Sequence, residues 1–139
     1  MKIRKAKNSE ITEIKKIVDS FKGMDVIKET FSREYYKRII KNGILIVAII
    51  NNKIMGICFG TYNKKEKWAD LLGLVVKEEF RKRGIGNLLV KEFEKIAIKN
   101  KLKTIDLYAD RFQINLFKRL NYKKGRTYVS FRKKLKWKV

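Results

Sequence analysis

Residues 77–86, Lys-Glu-Glu-Phe-Arg-Lys-Arg-Gly-Ile-Gly, set three consecutive cations against two glycines, between an apolar run and an amphipathic one. A strand ending in a cationic glycine turn that opens into a helix suits a phosphorylated ligand. The first-turn N–H groups of a helix lack internal partners and carry the positive end of its dipole, so a pyrophosphate can bind there. Arg81 and Arg83 add charge-assisted contacts. A β-carbon at Gly84 or Gly86 is expected either to obstruct the ligand or to disfavour the turn.

Spacing narrows the kind of loop. A Walker loop needs Gly-x4-Gly-Lys-Ser/Thr, but Asn87 and Leu88 follow Gly86. The dinucleotide fingerprint needs a glycine at position 89, which is leucine.

The elements around the loop follow from periodicity. Lys2–Lys5 forms a short strand, and Asn8 or Ser9 caps a helix with Ile11, Ile14, Ile17, Val18 and Phe21 on its apolar face, ended by Gly23. Ser32 caps a second helix with Tyr35, Tyr36, Ile39 and Ile40 toward the core, stopped by Asn42 and Gly43. Ile44–Ile50 and residues 54–62 flank Asn51, Asn52 and Lys53 as a hairpin. Trp68–Val76 is the strand that enters the loop. Beyond it, Ile85, Leu88, Leu89, Phe93, Ile96 and Ala97 recur at helical spacing over 84–100. A strand over 104–108, a helix over 111–120 and one or two closing strands over 122–135 complete an α/β sandwich with a mixed sheet of six or seven strands.

Composition bounds the function. At 139 residues the chain reads as one domain, 1–139, able to bury roughly two thirds of its unfolded surface. With 45% hydrophobic residues it is not a disordered chain, and no apolar run reaches the roughly 18 residues of a membrane span. The start of the chain carries no apolar signal core, so a cytoplasmic location is expected. One cysteine, Cys58, forms no internal disulfide and reads as a small core residue rather than a nucleophile. With no histidine, the chain builds no common zinc site and runs no Ser-His or Cys-His mechanism; no metal is expected. The net charge of +22 calls for a polyanion. RNA or ribosomes bound by counterion release answer it, and so does a solvated lysine-rich surface.

Arg81-x-x-Gly84-x-Gly86 after a central strand, the element order, and Leu116-Phe117 followed by Asn121-Tyr122 together resemble the GCN5-related N-acetyltransferases (GNAT family) across nearly the whole chain. The resemblance implies a single-domain α-β-α sandwich whose mostly antiparallel sheet splays between its fourth and fifth strands. Unpaired backbone groups of Leu74 and Val76, with Val75 between them, bond a pantetheine arm in that wedge. The Val76 N–H receives the acetyl carbonyl. Amides of Lys82, Arg83, Gly84, Ile85, Gly86 and Asn87 hold the pyrophosphate of acetyl-CoA, and Arg81 has the strongest claim among the cations. The expected activity is direct acetyl transfer to a primary amine: a protein N-terminus or lysine, or a small amine. A basic RNA- or ribosome-binding module on the same scaffold is the alternative.

The family's usual acid, a tyrosine, is Phe117 in the matching segment, leaving Tyr108 and Tyr122 as candidates; the asparagine seven residues earlier corresponds to Asp110. Asp106 on the fifth strand and Asp70 on the fourth are the candidate bases, where the acidic pair of polyamine-type members reads Leu72-Gly73. A water chain is an equal alternative.

Overall fold

The computed structural model describes residues 1–21, 31–109 and 113–137. Strands β1 (Lys2–Lys5), β2 (Ile44–Ile50), β3 (Lys53–Asn63), β4 (Trp68–Val76) and β5 (Thr104–Leu107) form one sheet in the order β1-β2-β3-β4-β5. The first four pair antiparallel, and β5 runs parallel to β4. Helices α1 (Ile11–Asp19) and α2 (Arg33–Asn42) cover one face; α3 (Ile85–Lys99) and α4 (Ile114–Arg119) cover the other.

Alternation in the strands supplies both cores. On β2, Leu45 and Val47 face α1 and α2 with Tyr36 and Phe59, while Ile44, Ile46 and Ala48 face α3 with Leu89 and Phe93. Asn51 and Asn52 both have left-handed φ (49° and 62°), the conformation that a two-residue hairpin requires. Cys58 is fully buried, and that burial pushes its thiol pKa far up, which leaves it an apolar filler.

The α/β class stands, with three corrections to its details. The sheet has five strands among the described residues, not six or seven: residues 122–137 form none. The first helix is not capped by Asn8 or Ser9. Those residues enter a 3-10 turn, Asn8–Glu10, and the Glu10 carboxylate accepts the Lys7 N–H at 2.8 Å and both Arg4 guanidinium bonds at 2.8 and 2.9 Å. The Arg4 bonds hold the Glu10 carboxyl below its usual range. The last helix is shorter than expected, Ile114–Arg119; Gly23, Asp110 and residues 111–112 lie outside the described residues.

Candidate active site

A bulge in β4 opens the site. Phe59 pairs with Gly73 and Gly60 with Leu71, so Leu72 is an extra residue. Pairing of β4 with β5 runs from Trp68 to Leu71 and goes no further. Past that point β3 is the one strand paired with β4 among the described residues. The Lys77 N–H donates to the Met55 carbonyl at 2.9 Å, and antiparallel alternation then turns the amide groups of Val76 and Leu74 away from β3, into the wedge.

The loop after β4 uses its two glycines differently. Lys82 and Gly84 have left-handed φ, 61° and 79°, and the turned backbone delivers the chain to α3. A β-carbon on Gly84 would touch nothing within 4 Å, so the demand there is conformational. Gly86 has ordinary backbone geometry, and its β-carbon would stand 3.6 Å from Leu116 and 3.9 Å from Leu74. The fold has room for that carbon, so of the two reasons expected for glycine the turn applies at 84 and not at 86. What a side chain at 86 would fill is the cleft. The first intrahelical bond of α3 runs from the Leu88 N–H to the Gly84 carbonyl, so the amides of Ile85, Gly86 and Asn87 precede it.

These parts converge on an open cleft of about 1130 Å³. Its walls are Leu74, Val75 and Val76 at the end of β4, residues 77–82, Gly84 to Asn87, Ser20 and Phe21 after α1, and Gln113, Leu116 and Arg119 along α4. Arg83 stands off the wall, its guanidinium 5.2 Å from the Phe80 ring centre. Two carbonyls expected to be unpaired are held by side chains: Gln113 Nε2 donates to Leu74 O at 3.1 Å, and Arg81 Nε to Val76 O at 2.9 Å. The Arg81 guanidinium also lies 5.4 Å from the Phe21 ring centre, tying the end of α1 to the end of β4. Asn87 Oδ1 is buried without a hydrogen-bond partner, in the wall of the cleft.

The candidate acids and bases fall in two places. Asp70 and Asp106 are directly paired across β4 and β5, on the side opposite Ala69, Leu71, Ile105 and Leu107, which pack toward α3. Burial, and then the Asp106 charge, raise the Asp70 pKa. Tyr108, just past β5, is 83% exposed, with its ring edge-on to Tyr128 at 5.6 Å. Tyr122 lies on the α3–α4 side and off the cleft wall. Its hydroxyl donates to Glu94 Oε2 at 2.8 Å, and burial together with that carboxylate pushes its pKa far up. Phe117 is a buried core ring, edge-on to Tyr122.

Sequence reasoning missed Gln113, Leu116 and Arg119. Their three-residue spacing puts all three on one helical side, and the polar pair around Leu116 was the available signal. No group of three or more metal-ligating side chains occurs among the described residues, and none of their helices is long and apolar enough to cross a membrane.

A family model described as the acetyltransferase (GNAT) family matches residues 11–122. An uncharacterized N-acetyltransferase of Chlorobaculum tepidum is 27% identical over 126 residues, covering 87% of this chain and 74% of that protein. An aminoglycoside acetyltransferase from an uncultured soil metagenomic sample, solved with sisomicin, superposes with a TM-score of 0.76 at 17% identity, over 97% of this chain and 96% of that one. A variant of the BH1408 protein of Bacillus halodurans gives a TM-score of 0.78 at 15% identity, over 95% of this chain and 99% of that one. At these identities the two solved structures speak for the fold.

Proposed function

The chain belongs to the acetyltransferase (GNAT) family and is an N-acetyltransferase, and from that premise we propose that it moves an acetyl group from acetyl-CoA directly to a primary amine. One observation carries the reading: the missing side chain of Gly86 opens a cleft where bare first-turn amides, a cationic loop and the unpaired edge of β4 meet. The residues fit the ligand. The amides of Ile85, Gly86 and Asn87 suit a pyrophosphate, Lys82 and Arg119 add charge, and the β4 edge suits a peptide-like arm. The buried Asn87 Oδ1 offers an acceptor that the protein itself leaves unused.

Acetyl-CoA supplies an acyl group activated as a thioester. The protein supplies position. The Val76 N–H, aimed into the wedge, is the donor for developing charge on the carbonyl oxygen, and Arg81 holds the carbonyl of the same residue, which fixes the adjoining peptide unit. The acceptor nitrogen attacks as a neutral amine: its bond to the acetyl carbon forms, the carbon–sulfur bond breaks, and the thiolate takes a proton. Asp70, made more basic by burial and by Asp106, and Asp106 beside it are the candidate carboxylates for the amine proton. Neither lines the cleft and Asp70 stands six residues before Val76 on β4, so in this reading a chain of water carries the proton to them. Tyr108 is the exposed phenol at the same end of β5, whereas Tyr122 already donates to Glu94.

The acceptor is a protein N-terminus, a lysine or a small amine. A +22 surface repels a free polycation, so a neutral or acidic carrier of one amine is favoured, while the carboxylate pair offsets that charge locally. The test is CoA release measured over a panel of amines, aminoglycosides and peptides, with Arg81→Ala as control. Turnover with one class, weakened in the variant, supports the reading. No calorimetric CoA binding at millimolar ligand removes it.

A further inference from the structure

Leu74 and Val76 each turn a backbone donor and a backbone acceptor into the wedge. Both acceptors are taken by side chains, Val76 O by Arg81 and Leu74 O by Gln113. The two bonds differ in kind. Arg81 is charged, reaches back five residues, and has a second hold on the Phe21 ring. Gln113 is neutral and crosses the wedge from α4 to a carbonyl 39 positions away, at 3.1 Å against 2.9 Å for Arg81. Of the two, the neutral bond is the one that yields more readily.

The root of Gln113 is fixed. It is the N-cap residue of α4, and its carbonyl accepts the N–H of Phe117, a buried core ring, at 3.2 Å. Its side chain makes no cap bond to that helix; it lines the cleft and reaches β4. A carboxamide N–H on a strand carbonyl does what the amide of an adjoining strand would do. The side chain therefore stands in for the amide of a strand-like arm, and such an arm has to take the carbonyl over from it.

Resting on the acetyl-CoA reading, we propose that Gln113 is a specificity residue that keeps the place of the arm's amide, closing the β4 edge in the empty chain and yielding Leu74 O to an arm with an N–H of its own. An amide-bearing arm exchanges one neutral hydrogen bond for another, so the exchange is nearly balanced. Release of the glutamine returns its rotamer freedom, which tips the balance toward the ligand. An apolar chain displaces Gln113 without replacing its bond, and it leaves a carbonyl bare beneath it. The same bond shields an open strand edge from pairing with another molecule while the cleft is empty.

Calorimetry with CoA, and with ADP, which has the pyrophosphate and lacks the arm, tests the proposal. Gln113→Ala removes the competitor for Leu74 O. It should bind CoA roughly threefold to tenfold more tightly than the unaltered chain, the worth of one neutral hydrogen bond, while ADP affinity stays within about twofold. Gln113→Met, which keeps the length and lacks the donor, should shift CoA in the same direction. A purely structural role would not separate the two ligands. A crystal structure of the unaltered chain with CoA decides independently of the variants: an amide of the arm should donate to Leu74 O, with Gln113 turned away. Weaker or unchanged CoA binding in Gln113→Ala overturns the proposal, and so does an equal shift for CoA and ADP. A CoA complex in which Gln113 still holds Leu74 O is equally fatal. If the unaltered chain binds ADP and CoA not at all, the acetyl-CoA reading itself has failed and takes this proposal with it.

Discussion

From Trp68 to Leu71, β4 is paired on both sides, to β3 and to β5; from Gly73 to Val76 it keeps only β3. The first half is built like the middle of any sheet, with Ala69 and Leu71 sealed against the α3 side. In the second half, side chains do what a neighbouring strand did before. Gln113 bonds one carbonyl and Arg81 another, so the edge stays open without leaving those acceptors bare. Removing part of the first half should therefore cost folding, and altering the second should cost binding.

The largest expected effect breaks the first half. Leu71 is 6% exposed, and Leu71→Ala should lower unfolding stability by about 3 kcal/mol, read from denaturant titration. CoA affinity per folded molecule should stay within twofold. A parallel loss of affinity would mean that the two halves are not separable.

Next comes Gly86→Asp, which strikes the second half alone. The fold has space for a side chain at 86, so the melting temperature should move by no more than a few degrees. Calorimetry should show CoA binding weakened about a hundredfold or more, roughly 2.7 kcal/mol, from blockage and charge repulsion. Gly84→Ala should do the reverse. Its left-handed φ costs a side chain about 1–2 kcal/mol of stability, and with open space around it the ligand is not obstructed.

How much of this was legible in the sequence depends on the distance over which each contact acts. The loop, the third helix and the Asn51-Asn52 hairpin were readable, because each rests on neighbours a few residues apart. The Gln113 bond to Leu74 joins residues 39 positions apart, and no local pattern announces it. The Glu10 cap was misread because a long carboxylate reaches back to Lys7, where a short hydroxyl or amide at Asn8 or Ser9 was expected to act. The closing strands expected over 122–135 do not form among the described residues, since alternation specifies a face to be covered and not the element that covers it. The placing of Asp70 opposite Asp106 was likewise invisible, since register is a property of two strands together.

That pair provides the smallest and most discriminating effect. Burial and then Asp106 raise the Asp70 pKa, so the folded chain holds that proton more tightly than the unfolded chain does. The stability it contributes is complete below the ordinary aspartate value of about 3.9 and is lost as pH rises through the raised one. At neutral pH the charged carboxylate is therefore a cost to the well-paired half of β4. Asp70→Asn should stabilise the protein at pH 7 by less than about 1 kcal/mol, and the gain should vanish when unfolding is measured near pH 3. If Asp70 also takes the amine proton, the same variant should lose the acidic limb of its kcat/KM profile while it gains stability. A destabilised Asp70→Asn would show that the carboxylate serves the sheet as an acceptor, and the division of β4 into a folding half and a working half would fail at that residue.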